Sequence, residues 1–252
     1  MPAPLMSFLV PYRSDPASPQ RRHTWSWLRA FWAFELPEAQ IIVCDSDTEI
    51  FSKTQAVNKA ASKADGEIFV ILDADAYMRG WIINQCAQNI HNALASWRPL
   101  WYIPYRNLYR LTRETSEMIT SINPMFATDI PSPPPDFMVE SMLGSMHGRR
   151  FGAMIQIMPR QAFELIGGMD ERFVGWGGED VAFVRALDTL YVNHKTTNND
   201  ILHLWHANKG TNVKDRMWAG QETFNPNSNL AQRYNQATGD VDAMRALVDE
   251  AR

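Results

Sequence analysis

An α/β domain wound about a largely parallel sheet is the fold class this chain predicts, and three observations predict it. Apolar runs with strand character alternate with helix-period segments through the first half of the 252 residues, in the strand, helix, strand, helix, strand order of a doubly wound unit. The most apolar run, Ile68-Phe69-Val70-Ile71-Leu72, is mostly β-branched or aromatic and shows no polar alternation, as a strand covered on both faces requires. Neither an internal repeat nor a flexible linker divides the chain, so the second half is expected to complete the first in a single domain, 1–252.

The elements follow in order. Leu5 to Val10 is the first strand, closed by the turn formers of PYRSDPASP. In HTWSWLRAFWAFEL, Trp25, Leu28, Trp32 and Leu36 repeat at helical spacing beside Trp27, Phe31 and Phe34, which predicts a well-buried helix whose aromatics are core. QIIVCDSD gives a second strand, TQAVNKAASKA a helix with an alanine-rich face, and EIFVILDAD a third strand. Ile83, Cys86, Ala87, Ile90 and Leu94 mark another helix, and PLWYIPYR a further strand, which ends a first half at 5–106. Over 107–150 the periodicity dissolves into the proline-rich FATDIPSPPPDF and then MLGSMHGRR, so an irregular segment is expected there. FGAMIQIMP reads as a strand, RQAFELIGG as a short helix ended by glycine, and VAFVRALDTLY as an amphipathic helix with Val181, Val184, Leu187 and Leu190 in register. DILHLWH is a last short strand, and NPNSNLAQRYNQA and DVDAMRALVDE are two closing helices.

Composition narrows the function. A formal charge of -4, with no basic block, gives no electrostatic footprint for nucleic acid, so any phosphate must be bound locally. No stretch of 18 apolar residues and no leader pattern is present, and a soluble, cytoplasmic protein is the expectation. Cys44 and Cys86 have no CxxC or Cys/His spacing and read as buried, reduced thiols.

The chemistry lies in carboxylates and histidines. Three D-x-D pairs occur, where ordinary aspartate usage gives roughly one by chance. Asp240 and Asp242 stand where the last helix begins, and capping explains them. Asp45 and Asp47 end the second strand, either as a turn stabilised by Asx-type hydrogen bonds or with Asp45 on a nucleobase. Asp73 and Asp75 end the most apolar strand, with no helix after them to cap; in extended chain they project together, and two adjacent anions call for a divalent cation. Histidine joins carboxylate in such sites, and His206 is favoured as a ligand over His203, because a fully regular strand turns the two to opposite sides unless the chain bends. In GWGGED, Gly175, Gly177 and Gly178 free the backbone, while Trp176, Glu179 and Asp180 stand at a helix N-terminus. That arrangement is either a glycine turn with acids favoured by the helix dipole, or a site for a polyhydroxylated ligand with one carboxylate as base.

Taken together and in order, these segments resemble the metal-dependent GT-A glycosyltransferases, in particular the beta-1,4-galactosyltransferases and the polypeptide N-acetylgalactosaminyltransferases. VPYRSD is similar to the family's nucleotide-entry motif, FSKTQAVNKAASKADGEIFVILDADAYM to its helix and DxD strand, FGAMIQIMPRQAFELIGGMDERFVGWGGED to its acceptor and catalytic segment, and HLWH to its metal-binding strand. The likeness covers about 5–80 and 151–210; 107–150 and the tail have no counterpart. It implies a mixed, mostly parallel sheet flanked by helices, with a nucleotide-binding half over 5–106, an acceptor-side loop over 107–150, a catalytic and metal segment over 151–210, and a lid with C-terminal helices over 211–252. It also implies that Pro11, Tyr12 and Arg13 line the uridine and diphosphate of a UDP-sugar, with Phe51 and Lys53 near the same nucleotide. Asp73 would hold the ribose or assist the metal, Asp75 would ligate Mn²⁺ (or Mg²⁺), and His206 would complete the protein ligands with His203 as a possible third. Trp176, Gly177 and Gly178 would contact donor phosphate or sugar, Glu179 would meet sugar hydroxyls, and Asp180 would be the catalytic base. His203 stands where the galactosyltransferases carry methionine, and the membrane stem of the animal enzymes is missing, which suits a bacterial or bacteriophage member.

The implied activity is transfer of a hexose or N-acetylhexosamine from a UDP-sugar to a hydroxyl of a glycan or protein acceptor. Asp180 in place of the asparagine common among the retaining relatives points to inversion. A silent nucleotide- or glycan-binding protein of the same fold is the rival from another class. A sugar-phosphate nucleotidyltransferase is disfavoured, because PYRSDPASP lacks a glycine-rich arginine signature. HANKGTNVKDRMWAG, rich in Gly, Asn and Lys, is expected to be a lid over the donor.

Overall fold

In a computed structural model that describes residues 5–16, 18–143, 153–175, 177–207 and 226–252, the expected alternation is present. Strands β1 (Met6–Pro11), β2 (Gln40–Cys44) and β3 (Ile68–Leu72) lie side by side and parallel with β1 between the other two. Helices α1 (Pro19–Glu35) and α2 (Lys53–Ala61) make the crossovers. Helix α1 starts a turn earlier than its apolar pattern, because Pro19 presets the first helical φ. Trp25, Trp27, Leu28, Phe31 and Trp32 are buried along it, whereas Phe34 is exposed. Every residue of β1 and β3 is buried, which accounts for the unbroken apolar run of β3 and for a β1 whose one polar side chain is Ser7.

Beyond a two-residue strand β4 (Ala76–Tyr77), helix α3 (Gly80–Leu94) and strand β5 (Tyr102–Ile103), the chain departs from expectation. Residues 107–143 are not irregular: they form β6 (Asn107–Leu111), helix α4 (Arg113–Ser121), two 3-10 turns and β7 (Val139–Leu143). Strand β6 is half-buried and lacks a clean apolar stripe, and α4 is short, so neither stands out by periodicity. The hydroxyl of Thr112 caps α4 by accepting from the Thr115 N–H. Next come β8 (Ile155–Pro159), α5 (Arg160–Leu165), α6 (Glu179–Leu190), β9 (Lys195–Thr196), β10 (Asp200–His203), α7 (Pro226–Gln236) and α8 (Val241–Asp249). Asp240 caps α8 through the Ala243 N–H, as read from the sequence.

Two sheets result. The larger runs β2-β1-β3-β8-β5-β9, with β8 antiparallel to its neighbours β3 and β5 and the other pairings parallel. A smaller sheet, which sequence gave no sign of, runs β4-β10-β6-β7. Residues 73–75 are the link by which the chain leaves β3 in one sheet and enters β4 in the other. Cys44 and Cys86 are free and buried, and no helix among the described residues is long and apolar enough to cross a membrane.

Candidate active site

The C-terminal ends of β1, β2 and β3 point to one edge of the larger sheet, where open α/β sheets place their ligands. Arg13 follows β1, Asp45 follows β2 and Asp73 follows β3. Arg13 is committed to the loop after β2. Its Nε lies 2.8 Å from Asp45 Oδ1 and 2.9 Å from Oδ2. Its terminal nitrogens donate to the carbonyls of Ser46, Thr48 and Glu49, each at 2.8 Å. The guanidinium also lies 5.6 Å from the Phe51 ring centroid. Expected at the nucleotide, Arg13 and Asp45 thus first fix each other and the loop leading to α2. Pro11 ends β1, and the Tyr12 N–H donates to the Cys44 carbonyl while its ring lies 5.9 Å from that of Trp25.

Asp73 and Asp75 do not project together. Strand β3 stops at Leu72; the Asp73 N–H donates to the Met154 carbonyl, and the Ala76 N–H returns to the Asp73 carbonyl, making a tight turn. A turn abolishes the two-residue alternation on which that expectation rested. The two carboxylates therefore find different partners. Asp73 Oδ1 lies 2.6 Å from Lys53 Nζ. Asp75 Oδ2 lies 3.1 Å from His206 Nε2 and 3.8 Å from His203 Nε2.

The histidines converge because β10 ends at His203 and the chain then bends. The Leu204 N–H donates to the Asp75 carbonyl and the Trp205 N–H to the Ser116 hydroxyl. Opposite facing, expected of a regular strand, is thereby avoided, and both imidazoles meet Asp75 with rings 5.2 Å apart. One ligand atom from each of Asp75, His203 and His206 lies within 4.8 Å of the others, and this is the one group of at least three such residues among those described. Burial would raise the Asp75 carboxyl, but His203, His206 and Arg21 hold it well below the usual carboxylate range. Burial keeps the His203 pKa below its ordinary value against the pull of Asp75. The contact with Asp75 raises His206 against the effect of burial.

Helix α6 carries the other acids at its first turn. Gly178 is its N-cap with φ of 91°, a left-handed conformation natural to glycine. The Gly177 N–H donates to Glu179 Oε2 at 2.8 Å. Asp180 turns back to Lys53, whose Nζ lies 2.9 Å from Oδ1 and 3.1 Å from Oδ2. Burial pushes Asp180 up to about 7, with Lys53 opposing and Glu179 and Asp73 adding to the rise. Asp73 is pushed up to about 6, again by burial first and against Lys53. The Lys53 ammonium is held above its ordinary value, since Asp180, Asp73 and Glu179 outweigh the cost of burying it. Trp176 and most of the expected lid, 208–220, lie outside the described residues.

Of the residues read from the sequence, the structure brings Lys53, Asp73, Asp180 and Glu179 into one charged cluster, and Asp75, His203 and His206 into an adjoining one. It keeps Pro11, Tyr12, Arg13, Asp45 and Phe51 on the β1–β2 side. Arg21 was missed. Its Nε is buried without a hydrogen-bond partner among the described residues, and its charge reaches Asp75 and His206. Tyr105 was missed as well; its hydroxyl accepts from the Met154 N–H and lies in the field of Asp180, Asp73 and Lys53. Arg21 falls between the turn stretch PYRSDPASP and the helical segment HTWSWLRAFWAFEL, and Tyr105 lies in a segment read only for strand character, with no motif to single either out.

A family model described as "Glycosyltransferase like family 2" matches residues 33–221, well over half of the chain. Human chondroitin sulfate N-acetylgalactosaminyltransferase 2 is 26% identical over 168 residues, 64% of this chain. This chain spans only 28% of that relative's length. Among solved structures, glucosyl-3-phosphoglycerate synthase from Mycobacterium tuberculosis, in complex with Mn²⁺, UDP-glucose and phosphoglyceric acid, is similar with a TM-score of 0.50 and 10% identity. That likeness covers 94% of this chain and 80% of the other. The catalytic domain of Drosophila beta1,4galactosyltransferase 7 with xylobiose has a TM-score of 0.47 and 14% identity, over 94% of this chain and 82% of its own. The fold is GT-A.

Proposed function

This chain belongs to the glycosyltransferase-like family 2, a glycosyltransferase of GT-A type, and from that membership we propose that it moves a hexose or N-acetylhexosamine from a UDP-sugar to an acceptor hydroxyl with inversion at the anomeric carbon. The observation that carries the reading is one arrangement: a half-buried carboxylate, Asp180, at a helix N-terminus, beside the Asp75, His203 and His206 cluster at the sheet edge.

The donor set suits Mn²⁺. One carboxylate and two imidazoles, with their ligand atoms within 4.8 Å of each other, match the mixed oxygen and nitrogen preference of that ion better than that of Mg²⁺ or Ca²⁺. Asp75 would hold it as an ionised carboxylate and His203 as a neutral imidazole, while His206 would give up the proton it shares with Asp75. The ion would supply Lewis-acid neutralisation of the departing diphosphate. UDP-glucose and Mn²⁺ are named for the mycobacterial neighbour, and Asp75, His203 and His206 here are of a kind to hold such an ion.

The chain's own residues do the rest. Arg13 and Asp45 hold the loop against which a uracil would rest, and Phe51 adds an aromatic face. Glu179, fixed by the Gly177 N–H, accepts a sugar hydroxyl. Asp180 takes the proton of the acceptor hydroxyl as its oxygen attacks the anomeric carbon, and the bond from that carbon to the diphosphate oxygen breaks. A base whose pKa lies near 7 is matched to this transfer, being partly ionised at neutral pH yet able to hold the proton.

A panel of UDP-sugars incubated with the protein and MnCl₂ tests the reading. UDP release should occur with one or a few of them, and should be lost with EDTA, in Asp75→Ala and in Asp180→Asn. Release from none, with UDP still bound, would favour a silent nucleotide-binding protein of the same fold; an initial product anomer matching the donor would overturn inversion alone.

A further inference from the structure

We propose that Lys53 is a positioning residue for the base: its ammonium, clamped between Asp73 and Asp180, orients the Asp180 carboxylate and supplies its counter-charge, and is not a ligand of the nucleotide phosphates. The inference rests on reading Asp180 as the base.

Lys53 is the first residue of α2, directly after the capping hydroxyl of Ser52. A helix N-terminus disfavours a cation, and burying an ammonium costs more, so neither local preference nor solvation accounts for a lysine 8% exposed at that position. The carboxylates do. Lys53 Nζ lies 2.6 Å from Asp73 Oδ1 and 2.9 Å from Asp180 Oδ1, and it donates a hydrogen bond to Asp180 Oδ2 at 3.1 Å.

The backbone around it is stitched to the segment that delivers Asp180. The hydroxyls of Ser52 and Thr54 both donate to the Phe173 carbonyl, at 3.1 and 3.2 Å. Ser52 also forms a parallel bridge with Gly175, a few residues before the Gly178 N-cap of α6. The N-termini of α2 and α6 are thus held together independently of the salt bridge, which keeps the Lys53 and Asp180 backbones at a fixed separation. The charged and titratable groups facing Asp180 are Lys53, Glu179, Asp73 and the Tyr105 hydroxyl. Lys53 is the cation among them, so without it Asp180 would face two further acids uncompensated and would retain its proton.

Lys53→Met and Lys53→Arg variants decide the matter. With a donor that the protein turns over, Lys53→Met should lower kcat by ~10²-fold or more, leave the UDP dissociation constant within about threefold, and move the acid limb of the kcat profile to higher pH, while Lys53→Arg recovers much of the rate. A Lys53→Met variant that keeps its kcat at saturating donor but binds UDP ten or more times more weakly would overturn the proposal and return Lys53 to the nucleotide. Should Lys53→Met fail to fold, ¹⁵N-lysine NMR of the full chain still tests it. The Lys53 Nζ resonance, assigned through Lys53→Arg, should shift in Asp180→Asn and stay in place on adding UDP with Mn²⁺. The converse pattern would sink it. The resonance depends on the ion pair and not on turnover, so a protein inactive with every sugar nucleotide would defeat the functional reading while the Lys53 link to Asp180 stood or fell by itself.

Discussion

At the scale of single residues, the site separates two jobs among carboxylates that look alike in sequence. Asp75 is held ionised by imidazoles, whereas Asp180 is pushed up to about 7 by burial against a single ammonium. The sign of the pH dependence follows. A general base acts in its ionised form, so kcat should be level above about 7 and fall tenfold per unit as pH drops below it; a log kcat against pH plot with its break near 4 would contradict this. Asp180→Asn keeps the shape and removes the basicity, so kcat should fall by ~10²–10⁴-fold with UDP affinity unchanged by calorimetry. Much of this site was legible as residue types. Asp73, Asp75, Glu179, Asp180 and the two histidines all stood out by motif. Their pairing did not, because it depends on a turn at Asp73 and a bend after His203, which strand periodicity does not encode.

At the scale of elements, the parallel β1, β2 and β3 unit was legible because its strands are short, mainly apolar runs, unbroken in the fully buried β3, and the C-terminal helices because Asp240 caps the last of them. The region 107–143 was not, since β6 and β7 are short, half-exposed strands whose place is set by pairing with β10 and each other rather than by their own composition. The turn into α6 shows how tightly an element can be specified by glycine. A Cβ at Gly178 would lie 2.9 Å from Ala231 Cβ on α7 and would have to accept φ of 91°, whereas at Gly177, with φ of 110°, a Cβ meets nothing within 4 Å. Gly178→Ala should therefore cost strain plus a clash, ~1–3 kcal/mol or more, and Gly177→Ala the strain alone. Thermal unfolding should rank the two variants in that order; equal melting temperatures would mean that the contact with α7 does not constrain the start of α6.

At the scale of the whole molecule, the three residues proposed as metal ligands join the two sheets. Asp75 lies in the link between β3 of the larger sheet and β4 of the smaller, and His203 ends β10, which pairs with β4 on one side and β6 on the other. Residues 107–143, although without a counterpart in the resemblance, thus help to hold a ligand in place, because β6 and β7 complete the sheet that carries His203. An ion taken up by Asp75, His203 and His206 would bind the native arrangement and not the unfolded chain, in which Asp75 is separated from the two histidines by more than a hundred residues of sequence. Binding of that kind adds RT ln(1 + [L]/Kd), about 2.7 kcal/mol at a hundredfold excess over Kd. In a chain of this length each kcal/mol moves the melting temperature by roughly 2–4 °C, so saturating Mn²⁺ should raise it by about 5–10 °C. Asp75→Ala should abolish that rise, and His203→Ala and His206→Ala should each reduce it. A full rise in Asp75→Ala would place the ion elsewhere in the molecule and remove the link between the sheets from the account of its stability.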